Sequence, residues 1–393
     1  MSTWVSAPAS WQADPWHPNQ WRWWDGAAWT AHTSNPSGGN NLTAEEAAKK
    51  PRLPAWTSVP VTAAALPSVA VAIWTSLSAP IALLLGFAPM LLVGPVLAWM
   101  DRVEPEPWFS RLHALLWGGF VAGLIGLVSN TVVAVLSSEL WAAVVSAPIS
   151  EEIGKALGIV WAVRRKEVDS VMDGLVYAGW VALGFAIIED FGYFAYASQD
   201  GSLFQVFAGR ALMTPFAHPL FTAWTGLAIG MAVRKGKPLW TAWWGLLLAI
   251  GTHALWNGLL LAASPSETNP DGDVAIMGLV ILVFVALFLA AAVMVVRLRM
   301  KDSKQYAELM PTMAMTYGLP PKDIDAFATR KVAVSSRRQL PRDERWAFDR
   351  RHAAIARLVA LHDRVGEVDE ADQQRLLLQL RDPRTSGERV TQS

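Results

Sequence analysis

Between residues 60 and 300 the chain alternates long apolar runs with short polar connections, and each run is near the ~20 residues that a helix needs to cross a bilayer. The runs at 60–77, 80–100, 112–136, 140–163, 172–197, 206–232, 239–262 and 274–297 predict eight transmembrane helices. Pro67, Pro80, Pro89 and Pro95 fall in the first two. Kinked helices are still expected there, because neighbouring helices satisfy the carbonyls that a proline frees. The expected fold class is an all-α polytopic membrane protein, with 60–300 as its transmembrane domain.

Both flanks change pattern. Short aromatic segments between Trp11 and Thr33, separated by the turn signals Asp14-Pro15 and Asp25-Gly26, predict a small β-ribbon within a domain at 1–33. The first residues lack the basic-then-apolar pattern of a cleaved signal peptide. A polar linker is expected over 34–59, and 301–393 reads as a tail outside the bilayer. Pro311, Pro320, Pro321 and Pro341 are expected to break structure early in that tail. Helical spacing over 343–365, followed by a short helix at 371–381, predicts a helical hairpin.

Composition narrows the chemistry. The chain is 53% hydrophobic and 17% charged, which fits a membrane protein. It has no cysteine, so thiol nucleophiles, disulfides and cysteine-ligated zinc are excluded. Lys+Arg and Asp+Glu both number 33, so no overall basic balance points to nucleic acid as a partner. The basic residues are instead placed by side. Lys49, Lys50 and Arg52, then Arg102 and Arg111, Arg164 to Lys166, Arg234 to Lys237, and Arg297 to Lys301 occupy alternate connections. The connections at 198–205 and 264–273 have none. The positive-inside rule then predicts a multi-pass plasma-membrane protein with both termini cytoplasmic.

One apolar run contains three charge-bearing residues, Glu151, Glu152 and Lys155. Each costs about 2.5–3.5 kcal/mol near the centre of an isolated spanning helix, against about 0.3–0.6 returned by a Leu, Val or Ile. Such a helix needs polar partners, and the next three runs offer Glu189, His218 and His253. With a rise of about 1.5 Å per residue, these groups are expected in one layer about 12–18 Å below the outer surface. Residues four apart share a face, which puts Glu151 over Lys155, His218 over Thr222 and His253 over Asn257. Gly174, Gly179, Gly184, Gly226, Gly230, Gly245 and Gly251 are expected to let these helices approach closely. Taken singly, each polar group has a structural alternative: His218 as an interhelical hydrogen-bonding residue, Glu189 as a buried partner of Lys155.

The segments PISEEIGK, DGLVYAGWVALGFAIIED, HPLFTAWTG and HALWNG, in this order on successive helices, resemble the PrsW family of intramembrane proteases, a relative of the CAAX-prenyl endopeptidases and bacteriocin-processing enzymes. DRVEPEPW at 101–108 fits too, so the resemblance covers about residues 80–262. It implies that Glu151 and Glu152 are the EExxK glutamates, Glu189 the acid four residues after Phe185, and His218 and His253 the later histidines. CAAX-type relatives commonly have a histidine where this chain has Glu189. The N-terminal segment is similar to a short Trp-rich domain with a WDG signature, here Trp24-Asp25-Gly26.

The resemblance implies hydrolysis of a peptide bond, and the depth of the polar layer makes a single-span protein cut near the extracytoplasmic side the expected substrate. The resemblance adds that membrane-anchored anti-sigma factors are among such substrates. Two catalytic schemes fit the residues. In one, His218, His253 and a carboxylate, with Glu189 named for that place, hold zinc while a free glutamate is the base. In the other, Glu151 or Glu152 with Glu189 activates water, and His253 with Asn257 stabilises the oxyanion. The alternatives from other classes are a proton-coupled transporter, since intramembrane acids and histidines also form proton relays, and a non-catalytic membrane scaffold. No internal repeat relates two halves of the chain, as many transporters would require.

Overall fold

A computed structural model of the chain describes residues 10–13, 21–24, 29–34, 79–102, 106–263, 270–316, 330–341 and parts of 344–358. The chain divides into a membrane unit within Leu53–Asp302 and a second unit drawn from Met1–Arg52, Ser303–Asp363 and Glu367–Ser393.

The helices are α1 (Pro80–Met100), α2 (Trp108–Leu136), α3 (Ala147–Arg164), α4 (Val171–Asp200), α5 (Leu203–Phe207), α6 (Ala217–Arg234), α7 (Trp243–Ala262) and α8 (Pro270–Thr316). Among the described residues six helices are long and apolar enough to cross a membrane: α1, α2, α4, the run from α5 through α6, the run ending in α7, and Ala275–Lys304 of α8. The expected span at 60–77 lies outside the described residues. Residues 139–164 are helical, through a π turn at Ala142–Ser146, but Glu151, Glu152 and Lys155 leave this run less apolar than the six.

α4 is the hub. It packs on α1, α2, α3 and α6, and 94% of its apolar window is buried, against 17% for the run ending in α7 and 11% for α8. A helix that is apolar all round belongs inside, and the others turn faces such as Leu91, Val135, Leu247 and Leu282 outward, where lipid replaces protein. Ser170 and Asp173 start α4 with a capping box, worth about 1 kcal/mol, and Gly201 ends it in the left-handed conformation (φ 81°).

Glycine sets the helix separations. A Cβ on Gly184 would collide with the Leu115 carbonyl oxygen of α2, and one on Gly118 with the Val181 carbonyl oxygen of α4. Gly174 of α4 and Gly226 of α6 oppose each other, a Cβ on either striking the other's carbonyl oxygen. Gly251 differs from the expectation: nothing lies within 4 Å of a Cβ there, so it makes no close approach.

A second polar cluster ties the connection before α2 to α4. Asp101 accepts from the Glu106 amide (3.0 Å) and from Arg111 (2.9 Å), and Tyr177 donates to Glu106 (2.9 Å). Burial pushes the Asp101 carboxyl up from 3.8 to about 7, Arg111 and the Glu106 amide offsetting only part of it. The folded protein therefore holds this proton more tightly than the unfolded chain. The contribution is fully present below about pH 4 and is lost as pH rises through about 7. Asp101→Asn should flatten the decline of the thermal midpoint over that window. A decline as steep as that of the unaltered protein would assign it to other groups.

In the second unit β1 (Ser10–Ala13), β2 (Trp21–Trp24) and β3 (Trp29–Ser34) form an antiparallel sheet in that order, with Trp11 opposite Trp23 and Trp24 opposite Trp29. The break expected at Pro311 does not occur, since α8 continues helical to Thr316. An interior proline removes one hydrogen bond and crowds the carbonyl four residues before it, a cost of about 3 kcal/mol that the turns on either side outweigh. Residues 330–341, placed in the broken region, include α9 (Arg330–Gln339). Helical positions between 345 and 358 bury Ala354, Ile355 and Leu358. The helix expected at 371–381 lies outside the described residues.

Candidate active site

α3 supplies the centre. Its narrow side, Gly154 and Gly158, lies against Ala122 and Trp117 of α2, and the Trp117 indole donates to the Gly154 carbonyl (3.1 Å). Gly126 of α2 leaves the room that Glu151 fills, since a Cβ there would come within 2.8 Å of the Glu151 Cγ. Glu151, Glu152 and Lys155 are all buried, Glu152 and Lys155 with no exposed surface.

Lys155 joins the groups. Its Nζ lies 2.7 Å from Glu152 Oε1, 4.0 Å from Glu151 Oε2, 3.3 Å from His218 Nδ1 and 3.9 Å above the centre of the Phe185 ring. Glu152 is fully engaged: Oε1 also meets His253 Nδ1 (3.1 Å), and Oε2 accepts from Thr222 (2.9 Å). Glu151 is half engaged. Its Oε1 accepts from Asn130 (3.0 Å), while Oε2 accepts no hydrogen bond and lies 3.9 Å from His253 Nε2. Glu189 meets His218 Nε2 (2.7 Å) through Oε2, which also accepts from Arg210; Arg210 in turn donates to Asp190 (2.5 Å).

Five of the six expected site residues, Glu151, Glu152, Glu189, His218 and His253, are thus brought together from α3, α4, α6 and α7. Asn257 is not among their partners: its amide donates to the Ala143 carbonyl (2.8 Å) and ties α7 to the π turn before α3. The buried site also draws on Asn130, Thr222 and Arg210. Thr222 was legible as the residue one turn beyond His218, whereas Asn130 and Arg210 sit in no motif.

Glu151, His218 and His253 each offer an atom that could hold a metal ion, all within 4.8 Å of one another. Glu189, the carboxylate named for such a set, is not among these three; its Oε2 meets Arg210 and His218. Two imidazoles and a carboxylate suit zinc. The unbonded, buried Glu151 Oε2 is a donor atom without a partner hydrogen. Four carboxyl groups, Glu151, Glu152, Glu189 and Asp190, surround two cations, Lys155 and Arg210, an excess that a divalent cation or protons must balance. The residues present fit the metal, with His218 Nδ1 exchanging its Lys155 contact for the ion.

A cavity of about 320 Å³ reaches His218. Arg210 and Asp190 lie in its wall, which is otherwise mostly apolar, with Met213, Trp256, Leu260 and Ile281.

Residues 106–295 match the family described as PrsW family intramembrane metalloprotease. A protein named Protease PrsW from Clostridioides difficile (strain 630) is 28% identical over 187 residues, covering 44% of this chain and 78% of that protein. A second Protease PrsW, from Geobacillus kaustophilus (strain HTA426), is 28% identical over 183 residues, covering 45% of this chain and 78% of its own length. No solved structure matches. The matched region contains all five of the clustered acids and histidines.

Proposed function

We propose, starting from residues 106–295 as a PrsW family intramembrane metalloprotease region, that the chain cuts single-span, membrane-anchored proteins near the extracytoplasmic side, anti-sigma factors being a fitting class. The observation that carries this is the buried Glu151 carboxylate, with one oxygen bound by Asn130 and the other unbonded beside His253 and in ligand reach of His218.

Glu151, His218 and His253 would hold zinc, which supplies a Lewis acid for the scissile carbonyl when bound. Glu152 keeps the His253 ring in place through Nδ1, so that Nε2 faces Glu151. Glu189 does the same for His218 through Nε2 and leaves Nδ1 toward Lys155. The free Glu151 oxygen is also the group placed to take a proton from water if hydrolysis proceeds by the metal-free scheme. The cavity beside His218 suits an apolar membrane segment. That segment must unwind locally, because a helix keeps its own carbonyls hydrogen-bonded. The side of the cut follows from the basic connections, which put both termini in the cytoplasm of a plasma-membrane protein.

Metal analysis of the purified protein, with cleavage of single-span reporters measured with and without chelator, tests the reading. The expected result is bound zinc and chelator-sensitive cleavage, with mass spectrometry placing the cut in the outer half of the reporter's membrane segment or just outside it. Cleavage indifferent to chelator would select the glutamate scheme. A cut on the cytoplasmic side of the membrane midpoint would contradict the orientation.

A further inference from the structure

Each histidine of the site has its own carboxylate, and each of those carboxylates has its own cation. His253 pairs with Glu152, which Lys155 holds at 2.7 Å; His218 pairs with Glu189, which Arg210 holds. Lys155 belongs to the EExxK segment, whereas Arg210 belongs to none. From this parallel we propose that Arg210 is a positioning residue for His218, acting through Glu189; the inference rests on the protease reading of the same site.

The geometry favours placement over charge neutralisation alone. A guanidinium presents donors in a rigid fork, and Arg210 uses it on two adjacent carboxylates, Nε to Asp190 Oδ1 (2.5 Å) and Nη2 to Glu189 Oε2. Its plane also lies over Tyr193, 3.8 Å from the ring centre. Three side chains of one α4 surface therefore fix the fork. Arg210 itself sits in the π turn Ala208–Met213, just before α6 begins at Ala217 and offers His218. Such turns are irregular and recur at functional sites.

The consequence falls on one oxygen. Glu189 Oε2 receives both Arg210 and His218 Nε2, so fixing that oxygen fixes the imidazole. With Nε2–H donated to Glu189, the Nδ1 lone pair faces Lys155 Nζ and the centre of the site. Carboxylates that orient a ligating or catalytic histidine are worth about 10–100-fold in metal affinity or activity. A second charged residue that orients the carboxylate should act in the same range.

Arg210→Lys keeps the charge but has one nitrogen where the fork has two, and it loses the Tyr193 contact. The full chain carrying this change, and one carrying Asp190→Asn, should be compared with the unaltered protein by ¹⁵N-histidine NMR, with His218 identified through His218→Gln. Zinc affinity by chelator competition and reporter cleavage complete the comparison. In Arg210→Lys the His218 signals should shift or broaden while those of His253 stay. Zinc affinity should drop about 10–100-fold, and kcat should fall with KM little changed. Asp190→Asn should move the same quantities less. His218 signals unchanged in Arg210→Lys would overturn the proposal, whatever the activity. If they change but the unaltered protein cuts no single-span reporter, the clamp stands and the protease function fails.

Discussion

Glu151→Gln lowers turnover by about 10²–10⁴-fold, the contribution of a general base, and leaves the protein inserted and folded. The glutamine amide keeps an oxygen for Asn130 and fills the space that Gly126 leaves. What it lacks is the second carboxylate oxygen, the only polar atom of Glu151 without a hydrogen bond. In the site as proposed that atom is either the ligand or the base, so a loss is expected whichever scheme operates. The measurement is reporter cleavage beside the thermal midpoint. A Glu151→Gln protein that cuts at the original rate would remove this carboxylate from the mechanism. Glu152→Gln should also be inactive, but with lowered stability, because Lys155 and His253 both depend on its charge.

Lys155→Met destabilises the membrane unit by about 3–5 kcal/mol, the cost of leaving a buried carboxylate without its cation. Lys155 and Glu152 have no exposed side-chain surface, so water cannot take over the lost role. Adding Glu152→Gln should restore much of the stability and none of the activity. A double-mutant cycle, read from denaturation midpoints of both single variants and the double variant, gives the coupling. Additive losses would mean that the 2.7 Å pair contributes little and that Lys155 acts mainly through His218 and Phe185.

The sequence was most readable where physics penalises a residue type. Charged groups inside an apolar run are so costly that Glu151, Glu152 and Lys155 by themselves point to one another and to Glu189, His218 and His253. The same charges explain why residues 139–164 form a helix yet are less apolar than the six spans. Side-chain direction was less readable. Four residues turn a helix by about 400°, not a whole number of turns. The same spacing leaves Thr222 within reach of Glu152 but brings Asn257 to the Ala143 carbonyl, because the neighbouring helix, not the spacing, decides what each side chain meets. Arg210 gave no signal of its own because its two acids, Glu189 and Asp190, lie on another helix, and spacing within one helix says nothing of that. That Glu151 and not Glu189 lies in ligand reach of both histidines is a matter of three-dimensional placement that spacing along the chain does not carry.

The opposed Gly174 and Gly226 join α4 and α6 backbone to backbone. Those two helices carry Glu189 and His218, so the contact sets the separation of the helices that bring the acid to its imidazole. In a saturation-mutagenesis screen, these two positions should be as intolerant as the catalytic acids, although they contribute no chemistry. The outward leucines of α8, by contrast, should exchange freely for any residue that lipid accepts.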